Sequence, residues 1–122
     1  MWRVLLVEDD PDVAASTKAT LEHLGYFVIL ASDGHQGFEL IASEQPDIVV
    51  TDEMMPVMSG FEMVERAREA HYKGFVVVCS AISESGVRNR QARYDAFLQK
   101  PYRVQDIASI LNMLRAISDG AK

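Results

Sequence analysis

The stretch Trp2-Arg-Val-Leu-Leu-Val-Glu-Asp-Asp-Pro11 sets the frame for the whole chain. Its first part is a short, nearly continuous apolar run, which fits a strand buried on both faces better than one half exposed to water. Three carboxylates follow, and then Pro11, a residue suited to the first turn of a helix. A buried strand thus runs through an acidic loop into a helix.

The same alternation continues outward from this stretch. Tyr26 to Ala31, Ile48 to Thr51, Phe75 to Cys79 and Ala96 to Leu98 read as further strands. Helices are predicted from Pro11 to a stop at Gly25, from Asp33 or Gly34 through Ala42, from Phe61 to His71, and from Val104 to Ile117. Val13, Ala14, Leu21 and Leu24 recur at helical spacing, Met63, Val64 and Ala67 are predicted inward, and Ile107, Ile110, Leu111 and Leu114 share one face. A less patterned helix is expected between Glu84 and Tyr94, where apolar positions are few and Gly86 weakens the helix. Strict alternation with fully apolar strands calls for a parallel sheet covered by helices on both sides, a (βα)₅ unit of the α/β class.

The chain has 122 residues, which fits one domain spanning residues 1–122. Ser118 to Lys122 reads as a frayed terminus, leaving no segment for an output domain. The formal net charge of −6 argues against general nucleic-acid binding, because a phosphate backbone favours a basic surface. No segment approaches the roughly 20 apolar residues that span a bilayer, and no signal peptide is visible, so a cytoplasmic location is expected. Cys79 lies inside an apolar run and reads as an inert buried thiol. Charge is unevenly placed. Residues 1–60 carry eleven acidic and two basic side chains, whereas Arg88 to Arg103 contains five basic ones against Asp95 alone.

In an open parallel sheet, ligands bind at the carboxyl ends of the strands. The residues there are Glu8, Asp9 and Asp10, then Asp52, Ser80 and Lys100. Clustered carboxylates are unfavourable unless a cation neutralises them, and an oxygen-only site suits Mg²⁺. Together with the Lys100 ammonium and the Ser80 hydroxyl, such a site can hold the oxygens of a phosphoryl group. Each residue also has a plainer reading. Glu8-Asp9-Asp10 before Pro11 could cap a helix, Asp52 and Ser80 could be turn residues, and Lys100 could be a solvated surface lysine. Their joint placement after successive strands of one sheet favours the site.

Val4-Leu-Leu-Val-Glu-Asp-Asp10, Asp52-Glu-Met-Met-Pro-Val-Met-Ser-Gly60, Ser80-Ala81 and Lys100-Pro101 resemble, in order and spacing, the signature of response-regulator receiver domains of two-component signalling. The resemblance covers the whole chain. It implies a flavodoxin-like, doubly wound fold with five parallel strands in the order 2-1-3-4-5. By the same resemblance, Glu8, Asp9, Asp52 and the Met54 backbone carbonyl hold Mg²⁺, and Asp52 accepts phosphate from a sensor histidine kinase or phosphotransfer protein. Ser80 becomes the switch hydroxyl, Lys100 the phosphate-binding lysine and Phe97 the switch aromatic, while Asp10 is better suited to capping than to ligation. The output surface, for a downstream protein partner, falls on Glu84 to Val104. Neither nucleic acid nor membrane is an expected partner. Lys100-Pro101 is a candidate cis peptide. One departure is local: where the family often has Gly-Ala before the fifth strand, this chain has Arg93-Tyr94.

Two other functions share parts of this pattern. A flavodoxin-like flavin carrier needs a phosphate cradle after the first strand, and Glu-Asp-Asp-Pro-Asp repels an anion. A Mg²⁺ phosphohydrolase that forms an aspartyl phosphate needs Asp-x-Asp there, for which Glu8-Asp9-Asp10 offers no good match.

Overall fold

The structure is a computed structural model that describes residues 1–84 and 93–120. Its elements are β1 (Arg3–Val7), α1 (Pro11–His23), β2 (Phe27–Ala31), α2 (Gly34–Glu44), β3 (Ile48–Asp52), α3 (Gly60–Glu69), β4 (Phe75–Ser80), β5 (Ala96–Gln99) and α4 (Val104–Gly120). The strands form a parallel sheet in the order β2-β1-β3-β4-β5. The helix expected between Glu84 and Tyr94 falls mainly on residues 85–92, outside the described residues.

The apolar strands are explained by two cores, one on each face of the sheet. Leu5, Val7, Val49, Val76 and Val78 pack with residues of α2 and α3. Their neighbours Val4, Leu6, Val50, Val77 and Cys79 pack with Leu21 of α1 and with Ile107, Leu111 and Leu114 of α4. Successive side chains of a strand point to opposite faces, so a strand covered on both sides must be apolar at every position. Burying each such Leu, Ile or Val contributes roughly 1.5–3 kcal/mol.

Only part of the apolar set that recurs along α1 faces the sheet. Its buried residues are Ala14, Thr17 and Leu21, whereas Val13 and Leu24 are 40% and 49% exposed. With Ala14 packed inward, residues three and seven beyond it also face the sheet, and Leu24 is already the C-cap. Beyond it Gly25 takes φ 99°, Gly25 N–H donates to Glu22 O and Tyr26 N–H donates to Leu21 O. This left-handed cap tolerates glycine best, and it ends α1 where the sequence predicts.

The loop from β3 to α3 bends sharply through Pro56-Val57-Met58. Met58 N–H donates to Pro56 O at 2.8 Å, and Val57 between them sits at φ 73° with 79% of its surface exposed. A β-branched residue is strained in that region, at a cost of about 1 kcal/mol or more. Val57→Asn, which tolerates positive φ, is therefore expected to raise stability by about 1 kcal/mol in urea unfolding. An unchanged or lower midpoint would show that the turn accommodates valine without strain.

Candidate functional site

The carboxyl edge of the sheet gathers the residues singled out by their sequence positions. At the end of β1, Glu8 is 7% exposed, and its backbone N–H donates to Ala31 O of β2 at 3.0 Å. Asp10 is the N-cap of α1, accepting from Asp12 N–H at 2.9 Å and Val13 N–H at 3.3 Å. The plain capping reading thus holds for Asp10. Glu8 and Asp9 remain for the site.

One carboxylate oxygen from each of Glu8, Asp9 and Asp52 lies within 4.8 Å of the others. Asp52 ends β3 and is 5% exposed, while Asp9 faces solvent. Lys100, just beyond β5, brings its Nζ to 2.8 Å from Asp52 Oδ1. Burial, followed by the hydrogen bond and charge of Asp52, pushes the Glu8 carboxyl up to about 7 against the opposing effects of Asp10 N–H and Lys100. Burial pulls the Lys100 ammonium down, but the Asp52 hydrogen bond and the charges of Asp52 and Glu8 outweigh it and hold Lys100 above its ordinary value. One lysine therefore does not balance three carboxylates. A compact oxygen-donor set short of positive charge fits a hard divalent cation such as Mg²⁺.

Ser80 ends β4, is 3% exposed and ties two strand ends together. Its carbonyl accepts from Lys100 N–H at 2.7 Å, and its Oγ accepts from Ile82 N–H at 3.1 Å, which leaves the hydroxyl hydrogen to donate. The Lys100-Pro101 peptide is cis. Met54 lies two residues past Asp52 with its side chain 67% exposed. Its thioether is a soft donor, so the group it can offer a hard cation is its carbonyl. Cys79 is buried and reduced, and burial pushes its thiol up to about 12, as an inert core residue requires.

Three features of this region had no clear sequence signal. Glu53 Oε1 accepts from Phe61 N–H at 2.8 Å, eight residues along the chain. Burial raises the Glu53 carboxyl and this bond partly lowers it again. Tyr94 stacks on Phe61 with ring centroids 5.9 Å apart, lies 6.1 Å from the Phe97 ring, and donates its O–H to Glu84 Oε2 at 2.5 Å. Arg93 is held by Glu65, with N–H···Oε2 at 2.8 Å and Nη2···Oε1 at 3.2 Å. Within the basic run from Arg88 to Arg103, the Arg93 charge is thus paired with Glu65. Arg88 and Arg90 lie outside the described residues.

Comparison with known proteins places this geometry among relatives. Residues 4–112 match the family model described as the response regulator receiver domain. The response regulator MprA of Mycolicibacterium vanbaalenii is 36% identical over 115 residues, covering 92% of this chain and 49% of that protein. The chain thus spans about half the length of the curated relatives it matches. The Francisella response regulator 1452 receiver domain superposes with a TM-score of 0.89 at 26% identity, covering 97% of this chain and 99% of that one. Thermotoga maritima TrrA, solved in complex with Mg²⁺-BeF, superposes with a TM-score of 0.82 at 25% identity, covering 93% and 99% of the two chains.

Proposed function

Because this chain belongs to the family of response regulator receiver domains, we propose that it is the phosphoacceptor switch of a two-component relay, with Asp52 as the acceptor. Receiver domains are signalling switches rather than turnover enzymes, and their partners are histidine kinases. In this reading residues 1–122 form one receiver domain, the donor is a sensor histidine kinase or a phosphotransfer protein, and the setting is the cytoplasm. Among the described residues no helix is long and apolar enough to cross a membrane.

The observation that carries the proposal is the buried Asp52 carboxylate, 2.8 Å from Lys100 Nζ and grouped with Glu8 and Asp9. An Asp52 oxygen forms the new O–P bond as the N–P bond of a phosphohistidine breaks, and the electron pair returns to the imidazole nitrogen. Glu8, Asp9, Asp52 and the Met54 carbonyl are the groups that would hold Mg²⁺, which when bound offsets the charge of the phosphoryl oxygens. Lys100 and the Ser80 hydroxyl each donate to one of those oxygens.

The same contacts suggest how the signal leaves the pocket. If Ser80 turns toward a new anion it gives up Ile82 N–H, and two residues later Glu84 holds the Tyr94 hydroxyl. Tyr94 in turn packs on Phe97, so a path of one backbone hydrogen bond, a short run of chain and two side-chain contacts leads from Ser80 to Tyr94 and Phe97. Moving such an element almost completely from one state to the other takes roughly 5.5 kcal/mol of differential interaction, which a partly buried dianion with metal, ammonium and hydroxyl partners can provide. Adding beryllofluoride and Mg²⁺ should shift amide resonances across residues 80–104, Tyr94 and Phe97 included. Shifts confined to the acidic pocket would sink this switch mechanism while leaving the acceptor assignment standing.

A further inference from the structure

We propose that Glu53 is a positioning residue that fixes the acceptor loop, an inference that rests on the phosphoacceptor reading of Asp52. Three bonds meet at this residue. Its N–H donates to Cys79 O at 2.9 Å, extending the β3–β4 pairing past Asp52. Its carbonyl accepts from Gly60 N–H at 2.8 Å, and its Oε1 accepts from Phe61 N–H at 2.8 Å. Glu53 thereby draws the start of α3 back onto the end of β3 and closes the loop that contains Met54. The closure is tight, because a Cβ added at Gly60 would lie 2.3 Å from Asp52 O.

A carboxylate accepting from N–H groups in the first turn of a helix is also an ordinary cap. Yet α3 already has one: Ser59 Oγ accepts from Glu62 N–H at 3.1 Å. The two caps differ in what they hold. Ser59 lies beside its helix and bridges only three residues, whereas Glu53 adjoins the acceptor and bridges eight. Losing the first frays α3. Losing the second leaves the loop that presents the Met54 carbonyl closed by the backbone bond from Gly60 N–H alone, and Asp52 less firmly placed.

The test compares Glu53→Ala, Glu53→Gln and Ser59→Ala with the unaltered protein, measuring Mg²⁺ affinity by calorimetry, phosphorylation rate with acetyl phosphate, and melting temperature. Both alanine variants should melt lower by roughly 4 °C or more. Glu53→Ala should also weaken Mg²⁺ binding roughly tenfold, as loss of an outer-shell support does, and slow phosphorylation alongside it. Ser59→Ala should leave both unchanged, and Glu53→Gln, which keeps the acceptor oxygen, should stay within about threefold of the unaltered protein. Equal losses of Mg²⁺ affinity in Glu53→Ala and Ser59→Ala would reduce Glu53 to a helix cap and overturn the proposal. So would unaltered affinity in Glu53→Ala, or a loss in Glu53→Gln as large as in Glu53→Ala. An unaltered protein that neither bound Mg²⁺ nor took a phosphoryl group would overturn the phosphoacceptor reading together with it.

Discussion

Asp52→Asn is expected to abolish phosphoryl labelling by acetyl phosphate, while the unaltered protein gains one phosphoryl mass only when Mg²⁺ is present. Three carboxylates share the pocket, so the identity of the nucleophile has to be argued. Glu8 Oε2 already accepts from Asp10 N–H at 3.1 Å, which ties that carboxylate to its own loop. Asp9 faces solvent. Asp52 is buried with an ammonium against it, Lys100 Nζ lying 2.8 Å from one oxygen and placed to stabilise charge on an incoming phosphoryl group. Its oxygen bonds to phosphorus as the bond from phosphorus to the acetate oxygen breaks and acetate leaves. A neutral amide at this position has no comparable nucleophile, so labelling should fall at least roughly a thousandfold. Label that persisted in Asp52→Asn, or that mapped to Asp9 or Ser80, would reassign the acceptor.

The parts of this site that were legible in the sequence are those fixed by strand ends. A parallel sheet with apolar strands admits few layouts, and the residue after each strand must reach the same edge. Glu8, Asp9, Asp52, Ser80 and Lys100 could therefore be picked out from position alone, and all five lie at that edge. The division of labour within Glu8-Asp9-Asp10 was harder to read, because every member is both a possible cap and a possible ligand. The structure gives the capping half of it, with Asp10 accepting from Asp12 and Val13 N–H. The buried face of α1 was hard to read for a related reason. Val13 and Leu24 are apolar enough to suggest burial, but helix phase depends on where the first turn begins, and Thr17 takes the inward position instead. Contacts between distant segments left no periodic trace at all. Neither Glu53 with Phe61 N–H, nor Arg93 with Glu65, nor Tyr94 with Glu84 follows a local spacing rule, although Arg93-Tyr94 stood out as a departure from the family pattern.

Lys100→Met should move two measurable quantities in opposite directions, and that opposition distinguishes a charge role from a structural one. The ammonium lies 2.8 Å from Asp52 Oδ1 and carries the same sign as the divalent cation that Glu8, Asp9 and Asp52 would hold. Removing it ends a repulsion between like charges inside a partly buried pocket. Because the Lys100 side chain is 36% exposed, solvent screens much of that repulsion, and Mg²⁺ affinity should rise by only about three- to tenfold. Phosphorylation by acetyl phosphate should slow roughly a hundredfold, because charge growing on the phosphoryl oxygens loses a fixed cationic donor. Methionine nearly matches the length of lysine and keeps the stem packed, so the pocket should retain its shape. Asp52→Asn removes a ligand and the nucleophile together and should lower both quantities, which makes it the natural companion measurement. If Lys100→Met also lowered both, Lys100 would be holding the pocket together rather than supplying charge to it. If it lowered neither, the contact with Asp52 would be an ion pair without a part in phosphoryl transfer.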